Sequence, residues 1–159
     1  MKSNLITKSQ SNVILEQIKR EWKLDIPKIK NLKEHQITDD SKLISGKEFM
    51  ALVIDGRYIP FLSDKGSLVR FPSVTVDSGA IKFMCNGADV MRPGIKENTE
   101  FDKDEIVCIK EESHGKFLAV GLSIISSEEM KVMSKGRVLR NIHHISDQYW
   151  ESAKSLVNI

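Results

Sequence analysis

Residues 76–95 read VDSGAIKFMCNGADVMRPGI, and the fold is decided in these twenty positions. Val74 and Val76 alternate as the end of a strand, Ser78-Gly79-Ala80 opens a helix over residues 79–86, and Gly87-Ala88 turns the chain. Residues 90–95 return as a strand with a corner at Pro93-Gly94. The spacing predicts an inward helix face of Ala80, Ile81, Phe83 and Met84. Gly79, Gly87 and Gly94 fall where the chain changes direction, and a residue without Cβ accepts positive φ and lets another molecule approach the main chain.

Working outward, Ile106, Cys108 and residues 117–125 pattern as strands. Ser126 followed by Ser127-Glu128-Glu129 reads as a capped short helix with acidic residues in its first turn, and residues 138–145 close the set. Short strands with small helices predict a compact, mostly antiparallel barrel beginning near Pro72. Upstream, a helix is expected from Ser11 or Asn12 to about Lys23, with Ile14, Ile18 and Trp22 on one face. Residues 24–41 are open: Ile26, Ile29 and Leu32 suggest helical turns, while Pro27 argues for a break. Residues 49–62, FMALVIDGRYIPFL, are a hairpin signal, because Asp55-Gly56 suits a two-residue turn. Lys65-Gly66-Ser67 is expected as a loop. The fold class is therefore α+β, with a small α/β domain over residues 1–70 and a β-barrel domain over residues 71–159.

The order of residues 76–95 resembles the PUA domain. FLAVG (117–121), SSEEM (126–130), SKG (134–136) and IHHISDQYW (142–150) follow as in the malignant T-cell amplified sequence family of translation factors and its archaeal relatives. The first seventy residues are similar to that family's pre-PUA domain in layout. Departures are Ser78 where lysine is common, Arg92 before Pro-Gly, and Asp147-Gln148-Tyr149-Trp150 where Asp-Gly-aliphatic-Trp is usual. The resemblance implies a C-terminal PUA pseudo-barrel and an RNA-binding face of Gly79, Ala80, Lys82, Gly87 and Ala88, with residues 91–94, Arg92 among them, as the wall behind. It also implies tRNA, at its acceptor end, or rRNA as ligand, with the small ribosomal subunit and an initiation-factor-like protein as partners. Small residues would let backbone approach a sugar-phosphate edge. The alternative is that the glycines and Pro93 only shape turns.

The chain has 24 Lys and Arg, 22 Asp and Glu, and a net charge of +2. The charge is uneven: residues 1–70 hold 13 basic against 9 acidic side chains, and residues 71–159 hold 11 against 13. Phosphate attraction is thus expected to be local, with about three to five phosphates neutralised and a shallow salt dependence. Lys19, Arg20 and Lys23 read as a solvated helix face. Lys135, Arg137 and Arg140 form a second basic strip. Arg140 is a candidate phosphate contact, although strand alternation separates it from Arg137 unless a bulge intervenes. MKSNLITKSQSN at the N-terminus lacks an apolar secretory core, and no run approaches the roughly 18 apolar residues of a membrane span. A cytoplasmic protein, without a membrane partner, is expected.

Catalytic patterns are weak. Cys85 and Cys108 lack CxxC spacing and read as buried apolar residues. His143-His144 point to opposite strand faces without a nearby third ligand, which favours a structural role over a metal. Asp77 and Asp89 beside turn glycines read as acceptors of backbone hydrogen bonds. Neither GxxxxGK[ST] nor GxGxxG occurs, so neither fingerprint supports a nucleotide cofactor. Tyr149 and Trp150 are expected to plug the barrel, or to stack on a base. The leading expectation is a non-catalytic RNA-binding protein. An accessory subunit of an RNA-modification system and a protein-interaction module with weak RNA affinity are the rivals.

Overall fold

The computed structural model describes residues 2–156. They form two compact units, one reaching Arg70 and the other spanning Phe71–Lys154, with Ser155 grouped with the first.

In the first unit, β1 (Ser3–Leu5), β2 (Lys33–Thr38), β3 (Ser41–Gly46), β4 (Phe49–Ile54) and β5 (Arg57–Pro60) form an antiparallel sheet in sequence order. The β4–β5 hairpin closes through Asp55 and Gly56 at φ 49° and 79°, the positive pair that a tight primed turn requires. Helix α1 (Lys8–Trp22) begins earlier than Ser11 because the Thr7 hydroxyl accepts from Gln10 N at 3.2 Å. Ser11 instead lies on the buried face with Leu15, Ile18 and Trp22, and Ile14 sits at its margin. The end of α1 also covers the edge of the sheet. Trp22 Nε1 donates to Tyr58 O at 2.9 Å, and Glu21 Oε1 accepts from Tyr58 N at 3.2 Å, so β5 leaves those edge groups paired.

Residues 24–32 are not helical: Ile26 and Leu32 are buried from an extended segment, and β2 follows. The expected loop at residues 65–67 is a helical turn, α2 (Lys65–Leu68), because Asp64 accepts from both the amide and the hydroxyl of Ser67.

The second unit is a six-stranded sheet in the order β7-β11-β10-β9-β6-β8. Its strands are β6 (Ser73–Val76), β7 (Val90–Met91), β8 (Ile95–Asn98), β9 (Ile106–Glu111), β10 (Phe117–Ser123) and β11 (Arg137–His144). All pairs are antiparallel except β6 with β9. The two ends of the sheet, β7 and β8, are joined by a single 3-10 turn over Arg92–Gly94, so the sheet curls into a nearly closed pseudo-barrel. Residues 90–95 are therefore two short strands around that turn rather than one. Hydrogen bonds from Arg92 N to Gly136 O and from Asp77 N to Gly94 O fix the corner. The core contains Val74, Val76, Val107, Ile109, Ala119 and Leu139.

Helix α4 (Ser127–Lys131) carries the expected cap as a full capping box between Ser126 and Glu129. Helix α5 (Gln148–Ala153) starts on Asp147. In β11 the alternation fails: Val138 and Leu139 are both buried, and Arg137 and Arg140 are both exposed. A register shift between Arg137 and Leu139 against β7 is the cause, as expected of a bulge, which adds a residue and re-aims its neighbours.

Candidate nucleic-acid interface

The expected helix over residues 79–86 is a 3-10 turn, Ser78–Ala80, running into one α-turn, α3 (Ile81–Met84). This short winding buries Met84, packs Ala80, Ile81 and Cys85 against the core, and turns Phe83 outward at 60% exposure. Phe83 is thus a surface residue, not the core residue that the spacing predicts.

After α3 the chain reverses at Gly87, which has φ 86°. A Cβ there would stand 3.1 Å from His144 Nε2, so the position favours glycine on backbone and packing grounds alike. The amides of Gly87 and Ala88 are already used, donating to Met84 O at 3.1 Å and Phe83 O at 3.0 Å. The turn therefore offers shape and close approach rather than free N–H groups.

Asn141 of β11 holds this turn in place. Its Nδ2 donates to Met84 O at 3.1 Å and to Ala88 O at 3.0 Å, and its backbone N donates to Asp89 Oδ1 at 2.9 Å. Two carbonyl partners fix the amide orientation. Asn141 Oδ1 is buried and, among the described residues, without a partner. Sequence reasoning passed over Asn141. Its signal is local inconsistency, since asparagine is unfavourable inside a strand unless its side chain has a task.

The candidate residues separate. Gly79, Ala80, Lys82, Gly87 and Ala88 share the segment around α3. Arg92 is half-buried, its Nε donating to Met130 O at 2.9 Å. Arg140 is exposed, but it adjoins Asn141 in a regular stretch of β11 and so points to the face opposite the turn. Arg137 pairs with Asp89 at 2.9 Å. Among the described residues neither Lys82 nor Arg140 has an ion-pair partner.

Beside α3 lies an apolar cleft of about 260 Å³, lined among others by Ala80, Phe83, Met84, Ala88, Val90 and Met91. Met91 is 48% exposed, so its rim as well as Phe83 reaches solvent. A second cleft of this unit, about 330 Å³, is lined by Glu100, Asp102, Glu105 and Glu128 and would repel phosphate.

The remaining candidates are structural. His143 is fully buried, with Nδ1 2.7 Å from Asp147 Oδ2 and its ring edge-on to Tyr149. Burial pushes the Asp147 carboxyl up, but hydrogen bonding and charge from His143, with the amides of Trp150 and His144, hold it below its usual value. His144 Nδ1 lies 2.8 Å from Ile145 O, which can only accept, so Nδ1 carries the proton. Tyr149 and Trp150 are half-buried. Cys108 is buried and its thiol is pushed up to about 12 by burial. Cys85 is only half-buried, its thiol raised by burial against the opposing charge of Lys116. Among the described residues no group of three His, Cys, Asp or Glu side chains could hold a metal ion, and no helix is long and apolar enough to cross a membrane.

The PUA domain family profile matches residues 72–145. An uncharacterized protein of Methanocaldococcus jannaschii is 42% identical over 130 residues, covering 79% of this chain and 78% of its own. Translation machinery-associated protein 20 of Schizosaccharomyces pombe is 32% identical over 139 residues, covering 80% and 75%. The crystal structure of a hypothetical protein from Pyrococcus horikoshii superposes with a TM-score of 0.79 at 25% identity, over 95% of this chain and 99% of that one.

Proposed function

Because the chain belongs to the PUA-domain family that includes translation machinery-associated protein 20 and the malignant T-cell-amplified sequence proteins, we propose that it is a non-catalytic RNA-binding protein of translation. In this reading it engages tRNA through the acceptor end, in the cytoplasm, on the small ribosomal subunit and beside an initiation-factor-like partner. The observation that carries the reading is Phe83, 60% exposed at an apolar cleft and next in sequence to Lys82, which has no ion-pair partner among the described residues. An exposed ring at a cleft gives a base a face to stack on, and an unpaired 3′ nucleotide offers both that base and a phosphate for Lys82 to neutralise. The cleft is smaller than the roughly 300 Å³ at which small-molecule sites begin. It suits one face of a base better than an enclosed metabolite.

Phe83→Ala tests this directly. The ring is exposed, so folding stability should change by less than about 0.5 kcal/mol. A lost base stack is worth about 1–3 kcal/mol, a roughly 5- to 150-fold weaker tRNA affinity. The loss should vanish on tRNA trimmed of its single-stranded 3′ end. Phe83→Ala binding intact tRNA as tightly as the wild type would remove the cleft from the site. Gly87→Glu is a poorer probe, since strain at φ 86° and the His144 contact would disturb the fold as well.

A further inference from the structure

The tip of the β9–β10 hairpin, residues 112–116, is exposed yet tightly held. Glu111, itself buried, accepts from Ser113 N at 2.8 Å, His114 N at 2.7 Å and Lys116 N at 2.9 Å. Those amides, Lys116 foremost, hold the Glu111 carboxyl below the usual carboxylate range. Its backbone N also donates to Lys116 O, and Gly115 N donates to Glu111 O. Rigid loops on a scaffold are common carriers of binding groups.

The braced tip is latched to the start of the α3 segment. Ser113 Oγ lies 2.9 Å from Ser78 Oγ, and Glu112 N donates to Val76 O at 3.0 Å. Helix α3, which carries Lys82, packs against β10, the strand that Lys116 leads into. Lys82 and Lys116, 34 residues apart in sequence, thus lie on two elements that pack together.

We infer that the hairpin tip forms a second wall of the RNA interface, with Lys116 contacting a backbone phosphate next to the one held by Lys82. This inference rests on the RNA-binding reading above and extends its surface beyond α3. Glu112, exposed on the same tip, sets the opposite sign: it repels the strand and limits affinity.

Binding of a tRNA transcript to the full chain, titrated from 50 to 200 mM salt, tests the inference with exposed-residue variants. Lys116→Ala should weaken binding several-fold at the lowest salt, and its gap from the wild type should shrink about threefold across the range, with the log–log slope reduced by about one contact. Glu112→Gln should bind more tightly than the wild type, and Lys103→Ala, on the acidic loop, should be unchanged. Wild-type binding that Lys82→Ala weakens and Lys116→Ala leaves untouched in strength and slope overturns the second wall while the RNA reading stands. No binding by the wild type overturns both.

Discussion

Replacing Asn141 separates shape from hydrogen bonding at the interface turn. In Asn141→Ala, the carbonyls of Met84 and Ala88 lose their shared donor. At about 0.5–1.5 kcal/mol net per hydrogen bond the cost is about 2 kcal/mol, reduced somewhat because the orphaned Oδ1 disappears with the side chain. With a urea dependence near 2 kcal/mol per molar, the unfolding midpoint should fall by about 1 M at unchanged slope. Asn141→Asp has nearly the same shape but sets a carboxylate oxygen against two carbonyl oxygens, so it should cost more than alanine, about 3 kcal/mol or above. Acid that protonates the new carboxyl should restore part of that loss, since the acid form can donate. Urea titrations followed by circular dichroism at pH 7 and pH 4, each referenced to the wild type at the same pH, measure all of this. The order is diagnostic. If alanine falls within about 0.5 kcal/mol of the wild type, or aspartate is no worse than alanine, then the amide does not hold the turn.

Asp147→Ala removes the partner of buried His143 and the cap of α5, and should cost about 2–4 kcal/mol, whereas Asp147→Ser keeps a cap and should recover about 1 kcal/mol. The Asp147 carboxyl is depressed in the folded state, so its contribution is full above the unfolded value of 3.8 and is lost as pH falls through the folded one. Urea midpoints from pH 7 to pH 2.5 should therefore drop less steeply for Asp147→Ala than for the wild type, and parallel curves would refute the pairing. A fragment starting at Phe71 should unfold cooperatively in urea, because Val74, Val107, Ile109 and Leu139 pack among themselves. A fragment that is unfolded by circular dichroism while the full chain is folded would place the two halves in one core.

Features governed by short-range rules were legible beforehand. Asp55-Gly56 selects its hairpin because few residues accept two successive positive φ angles. Ser126 and Glu129 select a helix start through reciprocal bonds three residues apart, and the order of residues 76–95 carries the PUA resemblance that residues 72–145 bear out. The chain reversal at Gly87 was likewise legible from that stretch, and its φ of 86° agrees.

Features decided by neighbours distant in sequence were not legible. Phe83 belongs by spacing to a buried face, and it emerges only because α3 is a single turn entered from a 3-10 segment. Arg137 and Arg140 reach solvent together only because pairing with β7 puts a bulge between them, and Arg92 Nε is bonded to Met130 O, 38 residues on. Asn141 acquires its place from closure of the barrel, which sets β11 against the α3 segment, and the contact of Ser113 with Ser78 likewise joins residues distant in sequence. The sequence by itself determined the strands, turns and caps, whose energies come from a few adjacent residues. Tertiary structure alone decided which side chains face one another across the closed sheet, because pairing register and bulges are set by burial of the whole core at once.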